Sequence, residues 1–310
     1  MNVVTHKIGG IVFRTELNAW LPRILDEPFG LFRIEETMPD VHQFISIINL
    51  NSRQLPAPTN EEMQNFFESN HFSQDLLNNP FFLSREVLDR LKCLPGLRKE
   101  VEIWVEDHHL FIRDFSRNRI DIYYTKKYKG YPPEHPAVIP EYHVAANLQQ
   151  ILATFLPHFS AILLHSSGVI RGAKSALFFA PDGGGKTTVL AQSKTEPILS
   201  DDHIILKNEG GAIVAHGTPL GTMTSGACQA SIGALFLLKK AGDFRLESIA
   251  PAELVQWLWT EHRNYTFFLP KRLKKRAFEI LSHACHQAPV YRMHFPKDYV
   301  DWDAIDAAME

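Results

Sequence analysis

Gly183, Gly184 and Gly185 run directly into Lys186, Thr187 and Thr188. No other stretch of the chain has residue types and spacing that ask so plainly for one chemistry. A loop that wraps a polyphosphate needs close backbone approach and positive φ, and glycine supplies both at little steric cost. Lys186 can then reach the terminal phosphates, the Thr187 hydroxyl can ligate Mg²⁺, and the main chain from Asp182 to Thr188 can offer N–H groups to phosphate oxygens. A helix starting at Lys186 would add the positive end of its dipole. The predicted ligand is a nucleoside triphosphate with magnesium.

Asp201 lies fifteen residues beyond Lys186, room for one helix and a returning strand, and Asp202 follows it. A carboxylate there holds the metal opposite Thr187, and its neighbour is left to accept the proton of an attacking hydroxyl. Ser-Asp-Asp is also turn chemistry, and that alternative stays open. His165, twenty-one residues before Lys186, ends an apolar run and is either a site residue or a hydrogen-bonded packing residue. Ala180 stands where the usual phosphate-loop pattern begins with glycine.

Positioning these groups requires strand, loop and helix in that order. Residues 176–179 read as a buried strand, and residues 161–164, 169–170, 198–199 and 232–238 as further strands. Apolar spacing over 141–156 (Val144, Leu148, Ile151, Leu152, Phe155) predicts a helix covering that sheet, and Pro251 opens another over 251–259. Residues 290–295 suit a closing strand. The stretch 217–226, rich in Gly, Ser and Thr, is either a mobile loop that closes over a phosphate or a surface connection.

Upstream, Ile8, Ile11 and Phe13 around Gly9-Gly10 predict a β-ribbon, residues 60–79 with Phe66, Phe67 and Phe72 a helix outside it, and residues 101–105, 110–113 and 119–124 three strands. Four prolines within 130–140 mark a boundary. The expected organisation is a smaller, β-rich α+β domain over residues 1–135, with a role in choosing the acceptor, and an α/β nucleotide-binding domain over residues 136–310.

Composition excludes several classes. With 45% hydrophobic and 22% charged residues among 310, the chain has ample material for a core, and a net charge of −3 gives no basic field for nucleic acid. No apolar run approaches the ~20 residues that span a bilayer, and MNVVTHKIGG lacks a long apolar segment, so a cytoplasmic protein with no membrane role is expected. Cys93, Cys228 and Cys285 suggest neither a disulfide framework nor a zinc site. His283 and His286 read as a helix flank. KRLKKR, residues 271–276, reads as a solvated helix face, with a dock for an acidic partner as the alternative. Trp257, Trp259, Tyr265, Phe267 and Phe268 read as core rather than a base-stacking platform.

LLHSSGVIRGAKSALFFAPDGGGKTT followed by ILSDD resembles the catalytic domain of the HPr kinase/phosphorylase group, whose nucleotide loop is similar to that of phosphoenolpyruvate carboxykinases. The resemblance covers residues 165–206, and more loosely the chain to residue 296. It implies an α/β, HPr-kinase/PEP-carboxykinase-like P-loop domain that uses ATP and Mg²⁺ to phosphorylate a serine hydroxyl of a protein or peptide. Lys186 looks like the phosphate-binding lysine, Thr187 and Asp202 like metal-binding residues, Asp201 like the base, and His165 like the active-site histidine. The family's Glu-Ile-Arg-Gly-like segment is not found downstream, where residues 215–242 stand in its place. That region looks like the broader HPr-kinase-like set, some of which occur with peptide-modification systems such as lasso-peptide maturation, so a ribosomal peptide precursor is one expected acceptor and HPr itself is not. A catalytically silent nucleotide-binding module and a small-molecule kinase remain as alternatives, and a homo-oligomer is left open.

Overall fold

The computed structural model describes residues 2–17, 29–33, 43–49, 58–70, 84–94, 101–106, 109–114, 117, 119–124, 149, 152, 153, 155–193, 196–261, 269 and 271–310. It is mixed α/β, and the chain divides into two compact units. One comprises Met1–His6, Val12–Leu21 and Ile34–Tyr142, the other Lys7–Ile11, Pro22–Arg33 and His143–Glu310. The expected boundary within 130–140, residues 71–79 of the expected N-terminal helix, Val144, Leu148 and Ile151 of the 141–156 helix, and Tyr265, Phe267 and Phe268 lie outside the described residues.

The N-terminal sheet has six strands: β1 (Asn2–Ile8), β2 (Ile11–Leu17), β3 (Gln43–Asn49), β4 (Val101–Glu106), β5 (His109–Asp114) and β6 (Arg119–Tyr124), in the order β1-β2-β3-β6-β5-β4. β3 runs parallel to both β2 and β6, and β5 is antiparallel to β4 and β6. Helix α1 (Asn60–Asn70) begins with a reciprocal cap: the Glu62 N–H donates to Thr59 Oγ1 at 3.1 Å, and the Thr59 N–H donates to Glu62 Oε2 at 3.1 Å. Met63 of α1 and Val87, Leu88 and Leu91 of α2 (Arg85–Lys92) pack on Leu110, Ile112 and Tyr123 of the sheet.

The second unit carries a nine-stranded sheet. Its strands are β7 (Ala161–His165), β8 (Ser167–Arg171), β9 (Lys174–Phe179), β10 (Ile198–Ser200), β11 (His203–Glu209), β12 (Ala212–His216), β13 (Gln229–Lys240), β14 (Arg245–Ser248) and β15 (Val290–Phe295). The path runs β10-β8-β9-β13-β12-β11-β7, and β15 lies between β13 and β14. β15 is therefore an interior strand, over the residues expected to form one. β9 is parallel to β13 and antiparallel to β8, and its side chains enter a core cluster on each face, which accounts for its unbroken apolar run.

Side chains alternate across that sheet. Leu177 and Phe179 face a cluster with α4 (Pro251–Thr260) and α5 (Lys271–Gln287), while Ala176, Phe178 and Ala180 face Val189 and Leu190 of α3 (Lys186–Leu190) and Ile305 and Met309 of α6 (Trp302–Met309). Trp257 and Trp259 pack against the first cluster, as expected of core aromatics. On α5, Lys275 and Arg276 are exposed, so this part of the basic run is a solvated face. Among the described residues no helix is long and apolar enough to cross a membrane.

Candidate functional site

β9 ends at Phe179, the chain turns through residues 180–185, and α3 starts at Lys186. Gly185 has φ of 108°, and a Cβ there would stand 2.5 Å from Cζ of the Phe295 ring, so β15 supports the loop from beneath and only glycine fits above it. Ala180 is fully buried and has no positive φ, so glycine is not required where the usual pattern has it. Its methyl occupies the space that a side chain on Gly184 would need, at 2.5 Å. The Gly184 N–H closes a turn onto Pro181 O at 2.9 Å and is therefore committed to the loop itself. α3 has only five residues, so its dipole is weaker than a full helix would supply. Lys186 is buried, with Nζ donating to Ala180 O at 2.8 Å.

The acidic pair follows β10. A cavity of about 330 Å³ is lined by Asp182, Gly183, Gly184, Gly185, Lys186, Thr187, Thr188, Asp201, Asp202, Gly221 and Thr222. The expected loop residues and both expected acids thus border one space. His165 stands behind it, with Nε2 3.2 Å from Asp202 Oδ1 and 3.4 Å from Asp182 Oδ1.

The two acids are held differently. Asp201 Oδ1 accepts from the N–H groups of Thr222 (2.7 Å) and Met223 (2.9 Å), and Oδ2 accepts from Thr222 Oγ1 (2.8 Å). Asp202 turns away from that loop, with Oδ2 2.8 Å from His203 Nδ1, and keeps its side chain 38% exposed. Burial alone would raise the Asp202 pKa. The hydrogen bonds and charges of His165 and His203 outweigh it and hold the carboxyl well below the usual carboxylate range.

Residues 217–226 are neither a free flap nor a plain surface connection. Thr218 Oγ1 donates to His203 O (2.6 Å), Ser200 Oγ donates to Leu220 O (2.7 Å), Thr224 Oγ1 donates to Leu199 O (3.0 Å), and the Ser225 N–H donates to Ile198 O (2.7 Å). The Ser and Thr that suggested mobility help fasten the segment to β10 and to the start of β11. Gly221, φ 139°, lets the chain pass so near Asp201 that a Cβ would lie 2.3 Å from Oδ1.

No family model and no curated protein matches the chain. The chain is weakly similar to a bacterial kinase/phosphatase. This is the Hpr(Ser) kinase/phosphatase from Coxiella burnetii, at 16% identity and a TM-score of 0.20, over 28% of this chain and 72% of that one.

Two groups at the site were not reached from the sequence. Thr222 was not singled out within its loop, because its tie to Asp201 spans twenty-one residues. His203 was missed as well. His203 follows the acid pair directly, and its position next to two aspartates was the available signal.

Proposed function

We propose that the second unit binds ATP with Mg²⁺ and transfers the γ-phosphoryl group to a serine hydroxyl of a protein or peptide, as an HPr-kinase-like P-loop enzyme. One observation carries this reading: the glycine loop with Lys186 and Thr187 borders the same cavity as Asp201 and Asp202. Phosphoryl transfer asks a protein mainly for placement and charge neutralisation, which is what this set of groups offers.

In this reading the loop amides and Lys186 take the phosphates, the ammonium exchanging its bond to Ala180 O for phosphate oxygens. The donor set suits a hard cation, because Asp202 stays ionised and keeps part of its surface open on the cavity that Thr187 also lines. Mg²⁺, when bound, neutralises charge on the β and γ phosphates, and Thr187 and Asp202 would hold it. Asp201, its orientation set by Thr222 and Met223, aligns the acceptor hydroxyl and receives its proton. The bond from γ-phosphorus to the bridging oxygen breaks, the bond to the serine oxygen forms, and ADP leaves. His165 fixes Asp202. Acceptor selection by the N-terminal unit is part of the same proposal, as is a cytoplasmic setting.

The experiment is transfer of label from γ-labelled ATP to serine-containing peptides and to proteins of a cell extract. Label appearing on serine, and lost with Lys186→Ala and Asp201→Asn, supports the enzyme. Tight ATP binding without transfer to any acceptor points instead to a silent nucleotide-binding module.

A further inference from the structure

β7 and β11 pair antiparallel with His165 directly opposite His203, so the two imidazoles share one face of the sheet, with ring centroids 5.4 Å apart. Asp202 sits between them, Oδ1 toward His165 and Oδ2 toward His203. His203 is completely buried, with Nδ1 2.8 Å from Asp202 Oδ2. An ionised carboxylate only accepts, so this contact places a ring proton on Nδ1 and makes His203 the donor.

We infer that His203 is a positioning residue that holds the Asp202 carboxylate toward the cavity for a divalent cation arriving with a nucleotide. The inference rests on the nucleotide-site reading and adds to it a residue outside the cavity wall. Its physical basis is that a carboxylate ligand with one oxygen already hydrogen-bonded to a fixed donor has less orientational freedom to lose when a cation binds. Such outer partners typically contribute ~10–100-fold in metal affinity.

The test compares three variants of the full chain with wild type, using a fluorescent ATP analogue titrated first in EDTA and then across a magnesium series. His203→Leu keeps bulk and removes the donor. His203→Asn places an amide N–H close to where Nδ1–H was. His203→Phe keeps a planar ring and removes the same donor. In EDTA all four proteins should bind the analogue alike. The magnesium concentration that half-saturates the enhanced binding should rise about tenfold in His203→Leu, rise in the same direction in His203→Phe, and stay near wild type in His203→Asn. An unchanged magnesium requirement in His203→Leu, or in His203→Phe should the first variant fail to fold, overturns the role of His203 while leaving the nucleotide site standing. Equal impairment in His203→Asn and His203→Leu also overturns it, because the ring's packing would then matter rather than its proton. A wild-type chain that binds no analogue overturns both the site and this inference.

Discussion

Each unit of the protein holds a carboxylate between two nitrogen-bearing side chains, and the two arrangements serve opposite ends. In the N-terminal unit Asp121 is 1% exposed, with Arg90 Nε at 2.6 Å and Arg119 Nε at 2.8 Å. Both partners are permanent cations, so the negative charge is already neutralised and closed off from solvent. In the second unit Asp202 is bracketed by His165 and His203, and its side chain remains 38% exposed on a cavity wall. Two imidazoles orient this carboxylate and leave part of its surface open to the cavity. On the proposed reading, the difference separates an acid that braces a fold from one that meets a cation from outside.

The largest effect expected falls on the open site. Lys186→Ala should reduce phosphoryl transfer about a thousandfold, as loss of a principal phosphate contact does, with thermal unfolding little changed. Asp121→Ala should behave in the reverse way. It removes the shared partner of two partly exposed arginines and should cost roughly 1–3 kcal/mol, seen as a lower denaturant midpoint, while the folded fraction binds nucleotide as before. A variant of Asp121 that lost nucleotide binding without losing stability would erase the contrast.

Next comes Gly185→Ala, which combines a positive φ with a methyl driven into the Phe295 ring. A loss of about 1–3 kcal/mol is expected, partly recovered by Phe295→Leu, and calorimetric melting of the two variants together reads it. No recovery would mean that β15 is not what seats the loop.

A smaller effect is the pH dependence that Asp202 confers. Its carboxyl is held below the ordinary range in the folded chain, so its contribution is fully present above the unfolded value of about 4 and is lost as pH falls through the folded value. Between pH 7 and 5 wild type and Asp202→Asn should lose stability in parallel, and only in stronger acid should wild type fall faster. Curves that diverge near pH 6 would mean that the imidazoles, not the carboxylate, carry the linkage.

The smallest change is predicted for an exposed pair. Glu62, held at about 2 by the Arg85 guanidinium and the Thr59 N–H, should return toward the ordinary carboxylate range in Arg85→Ala, visible by NMR titration with no resolvable shift in melting.

The parts of this molecule legible in the sequence are those set by neighbours in the chain. The run before the glycines is continuous and apolar because β9 is covered on both faces, and the glycines of the loop answer to local φ and to close approach. Strands over 101–106, 109–114 and 119–124 follow from alternation. What was illegible depends on register between distant strands. β3 pairs in parallel with β6 some seventy residues on, an arrangement that no local pattern announces. The fastening of residues 217–226 to β10 uses the same Ser and Thr that mark free loops, and only their partners tell the two apart. His203 looked like one histidine among fifteen until the β7–β11 register set it opposite His165.

Calorimetric titration of ATP into the full chain, in magnesium and again in EDTA, addresses the nucleotide site without reference to any acceptor. Saturable one-to-one binding is expected, strengthened by magnesium, abolished in Lys186→Ala and deprived of its magnesium enhancement in Asp202→Asn. Heats equal to dilution in both buffers, from a protein that unfolds cooperatively on heating, would contradict the nucleotide site and everything built upon it.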